Sequence, residues 1–301
     1  MIPTNLNIQL DEISSSFLKS RQIELFIARL DLIHPVVSGN KLFKLYYFIE
    51  EAIREHKNTI VTMGGAYSNH LVATAFYCKE AGLKSIGIVR GEMPAIKSHT
   101  LNACENYGMK LIYISRSDYN KKEANFISEL IKENSEEIYF IPEGGYHPLG
   151  AKGASLIMEQ IKETNASHIC IAVGTATTLS GLNLNTKPNQ QIIAVPVLKG
   201  MNDLVARLNF LTNNIYHHQL CIFDEYHFGG YAKKDETLIQ FMNDFYTEYN
   251  VPTDFVYTGK MMYAIFDKIK SDFFPLGSKI ICIHTGGLQG NLSLPNGSLV
   301  F

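Results

Sequence analysis

Short β-rich runs recur along the chain, at Ile23–Leu30, Thr59–Met63, Ser85–Val89, Lys110–Ile114, Ile138–Ile141, His168–Val173, Gln191–Val197 and Lys279–Ile283. Most alternate with helical stretches, and several are apolar throughout, as in Ile169-Cys170-Ile171-Ala172-Val173. Side chains alternate between the two faces of a strand, so a run without polar positions belongs to a strand covered on both. The pattern predicts an α/β fold with mainly parallel sheets flanked by helices. One helix is expected over Ser68–Ala81, where Ser68 can cap the first turn, Leu71 and Ala75 share a face and Gly82 supplies the stop. Another is expected over Glu236–Tyr249, whose Leu238, Phe241, Phe245 and Tyr249 recur at helical spacing and read as core. Lys121–Glu137 is dense in charge and reads as a solvated helix surface.

At 301 residues, with 46% hydrophobic and 19% charged content, the chain can bury a large core and suits two lobes better than one. No repeat or flexible linker marks a boundary, and the glycine-rich stretch from Glu143 to Gly153 is the best candidate for a crossing between lobes. The formal charge of −2 and scattered Lys and Arg offer no basic stripe, so nucleic acid is not an expected partner. Met1–Leu10 lacks a basic segment followed by a long apolar one, and no apolar run approaches the roughly 20 residues that cross a bilayer. A cytoplasmic protein without membrane contact is expected. Cys78, Cys104, Cys170, Cys221 and Cys282 are odd in number and form no CxxC pair; buried free thiols are expected, and no metal site.

Four strand-to-helix junctions concentrate glycine with small hydroxyl or amide residues: Gly64–His70, Glu143–Gly153, Gly174–Gly181 and His284–Gly290. In open α/β sheets, ligands sit where strand ends open into such loops. Val173-Gly174-Thr175-Ala176-Thr177-Thr178-Leu179 leads from an apolar strand into a helix, which aims free N–H groups and a positive dipole at an anion. Three threonine hydroxyls suit a phosphate monoester. Neither GxGxxG nor GxxxxGK[ST] is present, so a nucleotide-binding α/β protein is the weaker alternative. In Ser38-Gly39-Asn40-Lys41-Leu42-Phe43-Lys44-Leu45, Lys41 and Lys44 share a face amid apolar residues. Spacing alone leaves two possibilities, a solvated pair or a desolvated amine able to condense with an aldehyde.

Ser38-Gly39-Asn40-Lys41-x-x-Lys44-Leu45 resembles the signature around the Schiff-base lysine of fold-type II pyridoxal-phosphate enzymes, in the subgroup of 1-aminocyclopropane-1-carboxylate deaminases and D-cysteine desulfhydrases. Gly64-Gly65-Ala66-Tyr67-Ser68-Asn69-His70, Ile141-Pro142-Glu143-Gly144-Gly145 with Pro148-Leu149-Gly150, the threonine loop, Tyr257-Thr258-Gly259-Lys260 and His284-Thr285-Gly286-Gly287 follow in family order. The resemblance implies a tryptophan synthase β-like fold of two lobes, each with a mainly parallel open sheet: residues 1–49 plus 151–301 as the large cofactor-binding domain, and 50–150 as a small domain inserted in it. It also implies a homodimer.

Carried over by position, Lys41 resembles the cofactor-linking lysine, which also serves as base at the substrate Cα, and Lys44 the lysine at the cofactor phosphate. Gly174, Thr175, Ala176, Thr177 and Thr178 resemble the phosphate cup. Ser68, Asn69 and His70 resemble the loop that receives the substrate carboxylate, with Asn69 also reaching the cofactor's phenolic oxygen. Tyr257 resembles the tyrosine stacked on the pyridine ring, and Tyr231 a second tyrosine near the substrate. A carboxylate beside the pyridine nitrogen keeps it protonated, whereas a hydroxyl leaves it largely neutral. Where the cyclopropane deaminases typically carry Glu and Leu, this chain has Thr258 and Thr285, which resembles the desulfhydrases. The implied activity is β-elimination from a small amino acid, D-cysteine foremost, giving pyruvate, ammonia and sulfide. The cyclopropane deaminase reaction, giving 2-oxobutyrate and ammonia, is the alternative, and a silent cofactor-binding protein a further one. Ala176 and Thr177 in place of glycines, Tyr67 in place of glutamine, and Leu288-Gln289-Gly290-Asn291 depart from the family pattern.

Overall fold

The computed structural model describes residues 8–35, 37–120, 137–161, 164–215 and 220–301. The eight expected runs are all strands: β2 (Glu24–Arg29), β3 (Thr59–Gly64), β4 (Lys84–Arg90), β5 (Lys110–Ile114), β6 (Ile138–Ile141), β7 (His168–Val173), β8 (Gln191–Pro196) and β10 (Lys279–His284). Two short edge strands join them, β1 (Leu10–Ile13) and β9 (Leu220–Ile222), too brief to stand out in the pattern. The six-stranded sheet has the order β1-β2-β10-β7-β8-β9, and the four-stranded sheet β5-β4-β3-β6. Every pairing is parallel except β1 with β2.

The alternation along the central strands explains their continuous apolarity. Ile169, Ile171 and Val173 face one core with Ile192, Ala194, Ile281 and Ile283, while Cys170 and Ala172 face another with Ile193, Val195, Ile280 and Cys282. Both faces are covered, so no position tolerates a polar side chain. The first of these cores also takes in Ile60 and Ile141 of the smaller sheet, so the two sheets share packing. Four of the five free cysteines are buried, Cys170 and Cys282 among them; Cys221 is half-buried on the edge strand, short of the burial expected for it. No helix among the described residues is long and apolar enough to cross a membrane.

Helices form where expected. Asn69–Glu80 is capped by Ser68, whose hydroxyl accepts from the Leu71 N–H, and Glu236–Tyr249 matches the periodic stripe. The charge-dense 121–136 lies outside the described residues. The four-stranded sheet draws its strands from 59–141 and the six-stranded sheet from 10–29 and 168–284. The boundaries read from the sequence, at 49/50 and 150/151, fall inside the helices Lys41–Arg54 and Pro148–Ile161. These helices pack closely: a Cβ on Gly153 would stand 2.1 Å from the Phe43 carbonyl oxygen, and one on Gly181 would stand 2.4 Å from that of Ala151. Gly153→Ala is expected to force the helix bearing the two lysines outward and to cost about 1–3 kcal/mol, read as a lower urea midpoint. An unchanged midpoint would contradict this close packing.

Candidate active site

All strands but β1 run parallel within their sheets, and the four glycine-rich loops lie at the carboxyl ends of β3, β6, β7 and β10. The loop after β2 completes the set by delivering the helix Lys41–Arg54. Gly39, at φ +79°, passes directly beneath the Thr285 carbonyl, where a Cβ would stand 1.9 Å from the oxygen. Asn40 follows, its N–H donating to that same oxygen at 3.3 Å. Its side chain does more. The Asn40 amide donates to Thr178 Oγ1 at 2.7 Å while its Oδ1 accepts from Lys41 Nζ at 2.8 Å. One amide thus ties the lysine to the threonine loop.

Burial lowers the Lys41 amine to about 8, against the nearby Asp254 carboxylate, which favours the charged form. Lys44 is buried, has no acceptor among the described residues, and is driven well below the ordinary lysine range by desolvation first and by Lys41 second. Of the two amines only Lys41 feels a carboxylate, and Lys44 lacks a countercharge. An anion is what this cluster would hold best.

The threonine loop supplies the rest of such an anion site. Ala176 adopts φ +69°, a left-handed conformation costly for any residue but glycine, and from it springs the helix Thr177–Leu184. The first-turn N–H groups of that helix have no intrahelical acceptor. Thr175 Oγ1 and Thr177 Oγ1 share a hydrogen at 2.9 Å. A Cβ on Gly144 would lie 3.1 Å from Thr175 Cγ2 and one on Gly145 would lie 3.5 Å from Lys44 Cε, so the loop after β6 closes the same space. At the other side, a Cβ on Gly174 would meet the Tyr257 ring at 3.1 Å.

Ser68, Asn69 and His70 open the helix after β3. Asn69 Nδ2 stands 3.3 Å from where a Cβ on Gly287 would be, so this loop touches the one after β10. Asn69 Oδ1 is buried without a hydrogen-bond partner, an unspent acceptor facing the gathered loops. The His70 ring turns inward: Nε2 lies 2.9 Å from Thr62 Oγ1, and burial, then Lys41 and Lys44, hold its pKa well below the usual value. A substrate carboxylate at this loop would meet the His70 backbone rather than its ring.

Tyr257 and Tyr231 meet edge-on, with centroids 6.1 Å apart. Two buried groups fix them. Asp254 Oδ1 accepts from the N–H groups of Val256 at 2.9 Å and Tyr257 at 2.8 Å, while Oδ2 accepts from the Thr258 N–H at 2.9 Å and Oγ1 at 2.7 Å. The Thr258 hydroxyl also accepts from the Asp254 N–H, so its hydrogen is held within the turn and one lone pair is left. Lys260 is fully buried and donates to the carbonyls of His227 and Gly230, both at 2.8 Å. It holds the loop that presents Tyr231, in which Phe228, Gly229, Gly230 and Ala232 all have positive φ.

Thr285 is placed by charges buried beneath it. His284 Nδ1 lies 3.1 Å from Asp31 Oδ1, its Nε2 donates to the Pro252 carbonyl at 2.8 Å, and Arg29 grips Asp31 and Asp11 at 2.7 and 2.5 Å. Asn40, Asp254, Lys260 and the Arg29–Asp31–His284 set were given no roles from sequence. Their neighbours' motifs were visible, but a buried charge looks like a surface one until its depth is known.

The site is therefore of one class: an open α/β cleft offering a desolvated lysine, a phosphate-sized anion cup and a tyrosine face. The chain belongs to the pyridoxal-phosphate dependent enzyme family, whose model matches residues 3–286. It is similar to a crystal structure described as an ACC deaminase homologue, with a TM-score of 0.81, 25% identity, and 95% of this chain and 92% of that one covered. A mitochondrial bifunctional D-cysteine desulfhydrase/1-aminocyclopropane-1-carboxylate deaminase of Arabidopsis thaliana is 29% identical, covering 89% of this chain and 73% of its own. A D-cysteine desulfhydrase of Klebsiella pneumoniae is 27% identical over 88% and 87%. The residues present fit the cofactor: Lys41 could bond its aldehyde, Lys44 and residues 174–178 its phosphate, and Asn69, with its unpaired Oδ1, its ring hydroxyl.

Removing the Asp254 charge withdraws support for the Lys41 ammonium. In cofactor-free protein, Lys41 should be modified by an amine-selective reagent with a midpoint near pH 8, and Asp254→Asn should move that midpoint lower. A midpoint that stays or rises would contradict the electrostatic link. For Lys260→Met, amide hydrogen exchange across 227–232 should quicken while the strands stay protected, and unchanged exchange would mean the lysine does not hold the loop.

Proposed function

We propose that this chain is a β-eliminating lyase for a small D-amino acid, D-cysteine foremost. The observation that carries this reading is that, among the described residues, no free carboxylate stands at the threonine pair: Asp254 has both oxygens taken by donors of its own turn, and Thr285 stands at the second position. A largely neutral ring nitrogen follows, the setting that the resemblance ties to desulfhydrases. The similarity to a desulfhydrase and to a bifunctional enzyme supports it.

When bound, pyridoxal phosphate supplies an electron sink that acidifies the substrate Cα–H. The chain supplies the rest. N–H groups at Ser68–His70 orient the α-carboxylate. The Lys41 amine, held beside Asn40 and ionising near neutrality, takes the Cα proton. The C–H electron pair becomes the Cα=Cβ bond, and the Cβ–S pair leaves with sulfur as hydrosulfide. Hydrolysis of the released enamine gives pyruvate and ammonia. Tyr257, its N–H bonded to Asp254, would face the cofactor ring, and Tyr231, edge-on to Tyr257, would close the substrate side. The reading includes a homodimer in the cytoplasm, a setting that five free cysteines suit.

Ring opening of the cyclopropane substrate is the second reading, favoured by the bifunctional relative. Sulfide and pyruvate release from D-cysteine, measured beside 2-oxobutyrate release from the cyclopropane substrate, separates the two. Sulfide with little 2-oxobutyrate is expected; the reverse would overturn the first reading. The purified protein should absorb near about 410–420 nm, and Lys41→Ala should lose the band. A colourless wild type after cofactor soaking would leave the enzyme reading without support.

A further inference from the structure

Arg90 ends β4, and its guanidinium turns back over the loop after β3: Nη2 lies 3.6 Å from where a Cβ on Gly65 would stand, three residues before Ser68. It lies 5.6 Å from the centroid of the buried Tyr119 ring. Arg90 is exposed at the strand end, so its guanidinium is open to a ligand. Arg90 makes no ion pair with any described carboxylate, Glu143 included, although both charges act on Tyr119 and Tyr231 in opposite senses. Arg90 and Tyr119 from the smaller sheet therefore form a wall beside the loop after β3 that leads to Ser68, and Tyr231 meets Tyr257.

The placement leaves this wall one task. With the α-carboxylate at Ser68–His70 and the amino group directed to the cofactor, the remaining substituent of Cα is the side chain. We propose that Arg90 is the specificity-determining residue of a side-chain subsite, selecting amino acids whose β-position carries or releases an anionic group, a thiolate or a carboxylate. The inference rests on the reading above and deepens it. In the elimination, the electron pair of the breaking Cβ–S bond ends on sulfur, and an unpaired guanidinium is the partner that charge needs. No described carboxylate pairs with Arg90, and the exposed cation stays available to a ligand.

Two isosteric ligands test it. Binding of D-aspartate and D-asparagine to the cofactor-loaded protein is measured by calorimetry for wild type, Arg90→Met and Arg90→Lys. Wild type should bind D-aspartate about tenfold more tightly, a charge-assisted hydrogen bond's share. Arg90→Met should erase that ratio, and Arg90→Lys should keep part of it. Equal binding by wild type would overturn the proposal, and so would an Arg90→Met that weakens both ligands alike, which would make Arg90 a clamp on the α-carboxylate. The visible band, recorded before each titration, reports separately on cofactor binding, so a failure there is charged to the earlier reading.

Discussion

Two desolvated lysine amines, of which only Lys41 has a carboxylate near it, are the constraint around which this molecule is arranged. Lys41 and Lys44 follow each other on the buried start of one helix, and the charge of Lys41 lowers the tolerance of Lys44 for its own. Such a pair is unfavourable in an apolar interior unless something negative arrives. The threonine loop, with its left-handed Ala176 and open first-turn N–H groups, is shaped to hold that negative charge. A phosphate there would stabilise a charged Lys44, and an aldehyde that condensed with Lys41 would use its neutral amine.

The fold serves this constraint through strand direction. Parallel strands bring their carboxyl ends to one edge, and the loops after β2, β3, β6, β7 and β10 are each in contact with another. Gly39 fits under Thr285, Asn69 against Gly287, Gly144 against Thr175 and Gly174 against Tyr257. A second layer of buried polar groups keeps these contacts in register. Asp254 sets Tyr257, Lys260 sets the Tyr231 loop, and the Arg29–Asp31–His284 set supports Thr285.

Strand positions were legible in sequence because burial on both faces leaves runs without polar residues, as at Ile169–Val173. The edge strands Leu10–Ile13 and Leu220–Ile222 escaped notice because an edge buries too little to impose a pattern. Lys41, Lys44 and the threonine loop were legible through their motif. The tie between the Thr258 hydroxyl and Asp254, four residues back in sequence, was not legible without the turn that brings them together. Asn40 stood in plain view inside the lysine motif, yet its bond to Thr178 spans 138 residues and only the folded chain displays it.

The central claim is that Lys41, and no other of the chain's lysines, bonds the cofactor. Borohydride reduction of the cofactor-loaded protein followed by peptide mass mapping tests it directly. The account predicts a reduced pyridoxyl phosphate on the peptide carrying Lys41. Its presence on Lys44, Lys260 or elsewhere, or on no lysine at all, would contradict the account.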